Sequence, residues 1–456
     1  MPSGFPRSLI RPSSSTPCSI KNIFAKRSRA RVYLVGFLLV IGGCAVLPGN
    51  WRPGWNKEWT SKEPVPETAA SWNLTELERK DGRFLALAIS GGGSRAANFG
   101  SAVMLELQQR KVLEQVDVIS GVSGGTLPAV YYGLGDKAGA FTAPALRKSL
   151  GFDFQGSWIR RWFLPHNIFR YWFSDFTRSD IMVQVFNNEL YHDATFAELQ
   201  SRPKILLNST VHNDHTRFTF TDERFAQLHS ALAFYPVANA VNASSAFPGA
   251  FQDVTLEWYI NPRQYVHLYD GGPIDNLGVQ ALSEYINRNI LGTSLKRLFP
   301  NGCLIIIIDA TPASEHPELN TGQSSRSFID YFVDTNALDA LDAMLLESRR
   351  SLLAGMGIPV DRQDQEMRGR LPVNDRDQCG CEVRHIALRQ LMYAGEETEG
   401  LAERVTQIKT KFWIGEDEQT DLFTAAKLLM KIVDDKKLLT EESLQTSCAV
   451  ESVEKK

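Results

Sequence analysis

The stretch FLALAISGGGSRAANFGSAVMLELQQ, residues 84–109, decides the fold of this chain. Its first six residues are a continuous apolar run of strand length, and the three glycines that follow mark the end of that strand. From Ala96 to Gln109 the apolar residues recur at helical spacing. We therefore predict a strand, a glycine-rich turn and a helix, in that order.

A second unit of the same kind follows directly. Residues 116–119 are predicted to form a second short strand, the sequence SGVSGG at residues 120–125 its turn, and residues 126–132 a helix. Further strands are predicted at residues 205–210, 217–221, 265–269 and 303–309. Strands that alternate with helices indicate an α/β fold, with a mostly parallel central sheet sandwiched by helices in three layers. We place this core at residues 81–312.

Residues 313–456 are predicted to be a helical extension of the same domain. Apolar positions between Phe328 and Leu353 recur at helical spacing and indicate a long amphipathic helix. The polar segments 313–326 and 362–382 are predicted to be loops. Of the six cysteines only Cys379 and Cys381 lie close together, and we expect them in a surface loop that holds no metal.

The N-terminal 50 residues differ in composition from the rest. Residues 1–43 carry seven basic side chains and no acidic one, which leaves −10 for the remainder of a chain whose net charge is −3. Nucleic acid is therefore excluded as a partner of the folded part. The apolar run 32–47 is shorter than the roughly 20 residues of a spanning helix, so a secretory signal fits better.

Residues 41–44, Ile-Gly-Gly-Cys, resemble the lipobox of bacterial lipoproteins, in which the cysteine is lipidated. This resemblance implies a protein that is lipid-anchored at Cys44 in the bacterial cell envelope. An uncleaved anchor and an organelle transit peptide remain alternatives. Residues 51–80, rich in proline, tryptophan and charge, are predicted to be a tether to the folded part.

Ser123 lies in the motif Gly121-Val-Ser-Gly-Gly125, between a predicted strand and a predicted helix. The glycines permit a tight turn that projects the serine hydroxyl above the edge of the sheet. The helix that follows directs its first amides at charge that develops near that hydroxyl. Ser123 is thus a candidate nucleophile, although a glycine-rich turn whose serine caps a helix is the simpler alternative.

The triple glycine Gly91-Gly92-Gly93 lies about thirty residues upstream, again between a strand and a helix. Its bare backbone N–H groups can approach a ligand oxygen, as an oxyanion hole requires. The same residues fit a loose dinucleotide fingerprint, but the acidic residue that the fingerprint needs after the next strand is replaced by the serine turn.

Asp270 is the third candidate, because it begins the turn Asp270-Gly-Gly-Pro273 after a predicted strand. A carboxylate at the end of a strand can reach toward a serine at the end of a neighbouring strand. Alone, however, an Asp-Gly pair is a common turn.

Together the three motifs resemble the patatin-like phospholipase family, whose pattern is a glycine-rich G-G-G-x-[RK]-[GA] loop, a G-x-S-x-G turn and an Asp-Gly-Gly or Asp-Gly-Ala motif. The wider strings 243–248 and 270–278 also look like bacterial members of this family. The resemblance covers residues 84–309 and leaves the N-terminal segment and the region after residue 313 unexplained.

The resemblance implies a lipid acyl hydrolase that uses no metal or cofactor. Ser123 would be the nucleophile and Asp270 its general base, and that carboxylate should be largely shielded from water. Gly91, Gly92, Gly93 and Gly124 would form the oxyanion hole, and Arg95 would support the loop or meet a substrate phosphate.

Two other functions stay open at this point. An α/β-hydrolase would use a Ser-His-Asp triad, for which His316 or His385 follows Asp270 in the right order. We expect both histidines at the surface. A membrane-tethered lipid-binding protein could instead carry a non-catalytic hydrolase fold.

Residues 152–176 contain ten aromatic side chains interleaved with Arg160, Arg161 and Arg170. Tryptophan beside arginine is typical of segments that lie at lipid headgroups, so we predict a membrane-docking lid. Packing of the same rings onto the core is the alternative. The sequence indicates neither the lipid class nor the oligomeric state.

Overall fold

A nine-stranded sheet organises the residues that the computed structural model describes, which are 56–62, 64–74, 81–290, 293–311, 335–363, 365–376 and 379–440. The strands are β1 Arg83–Ile89, β2 Val118–Val122, β3 Lys204–Val211, β4 Arg217–Thr219, β5 Val254–Trp258, β6 Gln264–Asp270, β7 Gly302–Asp309, β8 Arg368–Leu371 and β9 Cys381–Ala387. All of the described residues belong to one compact unit.

The strands follow the order β5-β6-β3-β2-β1-β7-β9-β8, with β4 paired to β3. The five strands from β3 to β9 at its centre are parallel, whereas β4, β5, β6 and β8 pair antiparallel with their neighbours. The prediction of a mostly parallel sheet is confirmed. Because parallel strands end at the same edge, residues that follow β1 and β2 lie side by side.

The helices complete the layers, and the structure gives them these bounds: α1 Gly93–Gln109, α2 Thr126–Leu134, α3 Ala143–Leu150, α4 Phe154–Trp162, α5 Pro165–Phe173, α6 Arg178–Phe186, α7 Asp222–Gln227, α8 Val237–Ser245, α9 Gly272–Asp275, α10 Val279–Ile290, α11 Leu295–Leu298, α12 Thr335–Gly355, α13 Glu396–Thr406 and α14 Glu416–Asp435.

Two apolar clusters, one on each face of the sheet, form the core. Alternate residues of β1 divide between them: Leu85, Leu87 and Ile89 pack with α1, α2 and α14, whereas Phe84 and Ala86 pack with α10 and α11. This explains why the run at 84–89 is apolar throughout, since both faces of the strand are covered. The expected three-layer arrangement is therefore present.

The C-terminal region is not purely helical, which corrects the expectation for residues 313–456. Strands β8 and β9 extend the central sheet beyond β7, so part of the predicted loop 362–382 is strand. Strand β8 is not predicted from its polar sequence, because it is an edge strand whose outward side chains are exposed. The amphipathic helix is present as α12, and segment 313–326 lies outside the described residues.

The cysteine prediction was also wrong. Cys381 opens β9 and forms a disulfide with Cys303 of β7, with the two Cα atoms 4.8 Å apart. Cys379 is buried in the same apolar cluster. Neighbouring strands brought together residues separated by 78 positions, which spacing along the chain does not reveal.

The described part of the predicted tether, residues 56–62 and 64–74, packs on the folded part instead of leading freely to it. The Asn56 amide donates to Glu257 O at 3.0 Å, and the Trp72 N–H donates to the Glu223 carboxylate at 2.9 Å. Trp72 itself is buried against Tyr285. Removal of the apolar Trp72 side chain from water stabilises the packing of this segment on the folded part.

The predicted signal segment and Cys44 lie outside the described residues. Within the described ranges, no helix combines the length and the apolar character that a bilayer-spanning helix needs.

Candidate active site

Ser123 directly follows β2 and adopts a left-handed backbone conformation, with φ of 49°. This region is costly for a residue with a side chain, and such strain is typical of a nucleophile turn between a strand and a helix. A short 3₁₀ turn joins Ser123 to α2, and the Thr126 hydroxyl donates to Ser123 O at 2.6 Å. The serine is thus held at the carboxyl edge of the sheet, as predicted.

The triple glycine joins β1 to α1 at the same edge, and it touches the serine turn. A Cβ on Gly124 would lie 2.0 Å from Gly93 O, so only glycine permits this approach of two backbones. Gly92 and Gly93 have φ of 132° and 58° and lead into the first turn of α1, whose N–H groups have no partner within the helix. The N–H of Gly91 donates instead to Asn276 O at 3.0 Å.

The C-terminal region supports the glycine loop from outside the family motifs. The Ser94 N–H donates to Lys411 O at 2.8 Å, and a Cβ on Gly93 would lie 2.4 Å from that oxygen. A backbone segment more than 300 residues further along the chain therefore fixes the loop. Sequence reasoning missed this contact, because it uses a carbonyl group and carries no side-chain signature.

Arg95 is buried and links the same parts of the chain. Its Nε donates to Ala310 O at 2.7 Å, and its remaining nitrogens donate to Ile408 O and to the Thr410 hydroxyl. A planar guanidinium suits several carbonyl acceptors at once. Of the two expected roles, this arrangement favours support of the loop.

Asp270 is the last residue of β6, beside Ser209 of β3, and its side chain is only 3% exposed. The Gly272 N–H donates to its Oδ1 at 2.8 Å and orients the carboxyl group. The expected shielding from water is present.

Ser244 at the end of α8 contacts the turns of both Ser123 and Asp270. The Ser123 N–H donates to Ser244 Oγ at 2.9 Å, and the Gly271 N–H donates to Ser244 O at 3.2 Å. The Ser244 hydroxyl in turn donates to Asn208 O. One buried residue therefore ties the two turns, which are separated by about 150 positions in the chain, to each other.

Asn276 lies between the same groups. A Cβ on Gly91 would be 2.6 Å from Asn276 Oδ1 and 3.3 Å from Ser123 Cβ. A Cβ on Gly272 would be 3.1 Å from Asp270 Oδ1 and 3.2 Å from Asn276 Oδ1. Asn276 belongs to the string 270–278 and has no predicted role, although an amide after an Asp-Gly-Gly turn is a usable signal.

His385 is fully buried in β9, which corrects the expectation of a surface position. Its Nε2 lies 3.0 Å from Asp309 Oδ2, and the Arg349 Nε donates to the same oxygen at 2.6 Å. Burial favours a raised pKa for Asp309, but the Arg349 charge and His385 lower it more and hold it well below its usual value. The prediction of a surface position for His385 was wrong because Asp309, itself paired with Arg349, gives the Nε2 of the imidazole ring a polar partner inside the protein.

The position of His385 disfavours a Ser-His-Asp triad. Two strands, β1 and β7, separate β9 from β2, so His385 is about 14 Å from the strand that directly precedes Ser123. His267 of β6 pairs with Asp253 at 2.9 Å and is partly exposed, and His316 lies outside the described residues. Among the residues that the structure describes, no cluster of histidine, cysteine and carboxylate side chains could hold a metal ion.

Comparisons with known proteins agree with this architecture. Residues 87–283 match the family model of the patatin-like phospholipases. Human GIVD cytosolic phospholipase A2 shares the fold at 11% identity and a TM-score of 0.50, over 84% of this chain and 69% of that one. VipD from Legionella pneumophila matches at 13% identity and a TM-score of 0.32, over 83% and 72%.

A search of curated protein sequences found no significant match. The family model spans the glycine loop, the serine turn and Asp270, and the solved phospholipase has the same fold. Residues 87–283 of the chain therefore form a patatin-like phospholipase domain.

Proposed function

We propose that this protein is a lipid acyl hydrolase of the phospholipase A or lysophospholipase type, with Ser123 and Asp270 as a catalytic dyad. The observation that carries the proposal is the double contact of Ser244, which holds the serine turn and the aspartate turn together. The strained backbone of Ser123 and the shielded carboxyl group of Asp270 agree with these roles.

The reaction proceeds through an acyl-enzyme. The Ser123 Oγ attacks the ester carbonyl as its proton passes to Asp270, and the proton then leaves with the alcohol or lysophospholipid. A water molecule gives a proton to Asp270, attacks the acyl carbon and releases the fatty acid, and Ser123 recovers its proton. Atoms and charges balance without a metal or cofactor.

The oxyanion of each tetrahedral intermediate would accept hydrogen bonds from the N–H groups of Gly92, Gly93 and Gly124. These groups lie where the glycine loop touches the serine turn. The Gly91 N–H already donates to Asn276 O, so we assign Gly91 a role in shaping the loop. Fixed donors stabilise developing charge without reorganisation, and each contributes roughly a hundredfold in rate.

We further propose that the protein acts at the bacterial cell envelope, anchored through Cys44. The Cys303–Cys381 disulfide supports this location, because structural disulfides persist in oxidising compartments. Labelling with radioactive palmitate in the native host tests the anchor: the parent should incorporate label and Cys44→Ala should not. Equal labelling of both proteins would refute lipidation at Cys44.

The decisive experiment is incubation of the purified protein with a mixed lipid extract, followed by mass spectrometry of the products. We expect free fatty acid together with one class of deacylated lipid, and neither product with Ser123→Ala. Reaction with a fluorophosphonate probe distinguishes an enzyme from a lipid-binding protein, because only an activated serine forms the adduct. Absence of both products and adduct would leave the binding protein as the function.

A further inference from the structure

The aromatic segment 152–176 divides into a buried half and an exposed half. Phe154, Trp158 and Phe176 are buried in the core, which corrects the expectation that the whole segment is a lid. The other half is an apolar surface that we call the α5 patch, and it consists of Phe163, Leu164, Ile168, Phe169, Trp172 and Phe173. Trp172 and Phe173 are 72% and 73% exposed.

From the α5 patch we infer a docking surface for an anionic phospholipid bilayer, an inference that rests on the proposed function for its purpose. Five of its six residues recur at the spacing of one helix face. Exposed apolar side chains in contiguous patches are uncommon on soluble proteins and mark interaction sites.

Charge selects a membrane over a protein as the partner. Residues 160–173 contain three arginines, of which Arg161 lies 3.7 Å from Glu189, and no acidic residue, in a chain whose residues 44–456 carry a net charge of −10. The Arg160 side chain lies 3.7 Å from Asp153 and is still 68% exposed. Tryptophan and phenylalanine beside arginine is the composition that settles at an anionic headgroup boundary.

The α5 patch is connected to the candidate active site through packed rings. Successive ring centroids lie 5.0–5.9 Å apart along Trp172, Tyr171, Trp162, Trp158, Phe251 and Phe412. Phe412 is adjacent to Lys411, whose carbonyl accepts from the glycine loop. The Gln155 N–H of α4 also donates to Phe412 O at 3.3 Å. The rings that extend from the α5 patch therefore pack against the segment at Lys411 and Phe412, which also holds the glycine loop.

Hydrogen–deuterium exchange of the full-length protein tests the docking directly. We expect the amides of residues 163–173 to exchange more slowly with vesicles of phosphatidylcholine and phosphatidylglycerol than with phosphatidylcholine alone, and the difference to shrink at high salt. The inference would be overturned if vesicles that contain phosphatidylglycerol left the exchange of these amides as it is without vesicles. Protection that needs no vesicle and rises with protein concentration would assign the patch to a second copy and overturn it as well.

A paired variant gives a second readout. Trp172→Ala with Phe173→Ala should lower hydrolysis of vesicle phospholipid about tenfold and leave hydrolysis of a soluble short-chain ester unchanged. The matched control is Phe234→Ala with Tyr393→Ala, because those rings are also exposed and lie on other elements. Equal loss on both substrates, or equal loss in the control, would overturn the inference.

The two proposals fail in different ways. If the parent protein hydrolyses no ester, the proposed function fails, and exchange with vesicles still reports on docking. If the soluble ester is hydrolysed and vesicles do not change amide exchange in residues 163–173, only the inference of a docking surface is wrong.

Discussion

The motif-bearing turns at residues 90–95, 120–125 and 270–278 differ instructively from the C-terminal segment 379–440. The turns carry glycine, serine and aspartate in a pattern that a sequence displays. The C-terminal segment displays no such pattern, yet its carbonyl groups at Lys411 and Ile408 accept hydrogen bonds from the Ser94 N–H and the Arg95 guanidinium. The residues proposed to carry the chemistry can thus be recognised by residue type. The contacts that hold them in place use backbone groups, which any residue could supply.

The largest expected effect lies in the motif-bearing turns. Ser123→Ala and Asp270→Asn should each lower hydrolysis of a soluble ester by about ten-thousandfold or more, because each removes a group that moves a proton or bonds to carbon. Steady-state rates measure this. Ser283→Ala and Asp136→Asn are the matched controls, and they should retain parental rates. If Ser123→Ala or Asp270→Asn kept a tenth of the parental activity, the motif-bearing turns would not be the part of the chain that carries the chemistry.

The contact between the two regions gives the next effect. Gly93→Ala should lower the rate about a hundredfold, because its Cβ would lie 2.4 Å from Lys411 O and displace an oxyanion donor. Gly357→Ala is the control: Gly357 also has a positive φ, of 76°, and no atom would lie within 4 Å of its Cβ. Equal losses in both variants would mean that backbone strain, and not the C-terminal contact, sets the rate.

Arg95→Met tests whether the C-terminal segment supports the loop or the arginine meets substrate. We expect about 3 kcal/mol lower free energy of unfolding, since charged hydrogen bonds to buried carbonyls are lost. The rate should fall about tenfold on phospholipid and neutral ester alike. A loss confined to phospholipid would instead indicate that Arg95 binds phosphate. Denaturant titration and rates on both substrates measure these effects, with Arg368→Met as the control.

The smallest effect on rate is expected at Asp309 of β7, which pairs with Arg349 of α12 and His385 of β9 and therefore acts on stability. Because its pKa is held below the usual value, its contribution to stability is present above the unfolded-state pKa and is lost as the pH falls through the folded-state value. Asp309→Asn should be about 3 kcal/mol less stable near neutral pH and lose less stability on acidification. Urea titrations at several pH values measure this, and a parallel pH dependence in parent and variant would contradict it.

Most of the fold could be predicted from patterns of residues. Strands β1, β3 and β7 were found within one residue at each end, because apolar runs report burial on both faces. Strand β8 was missed because an edge strand needs no apolar run. The pairing of Cys303 with Cys381 was missed because strand neighbours are set by sheet order and not by distance along the chain.

The site divides in the same way. The sequence of residues 84–125 and 270–278 by itself determined which side chains carry chemistry, since glycine is required where backbones meet and a serine and a carboxylate are required for acyl transfer. Only the tertiary structure decided how Ser244 and Asn276 bring those turns together and how Lys411 and Arg95 brace them. The physical reason is that these contacts use backbone groups and long-range neighbours, whose positions exist only once the sheet has set the order of its strands.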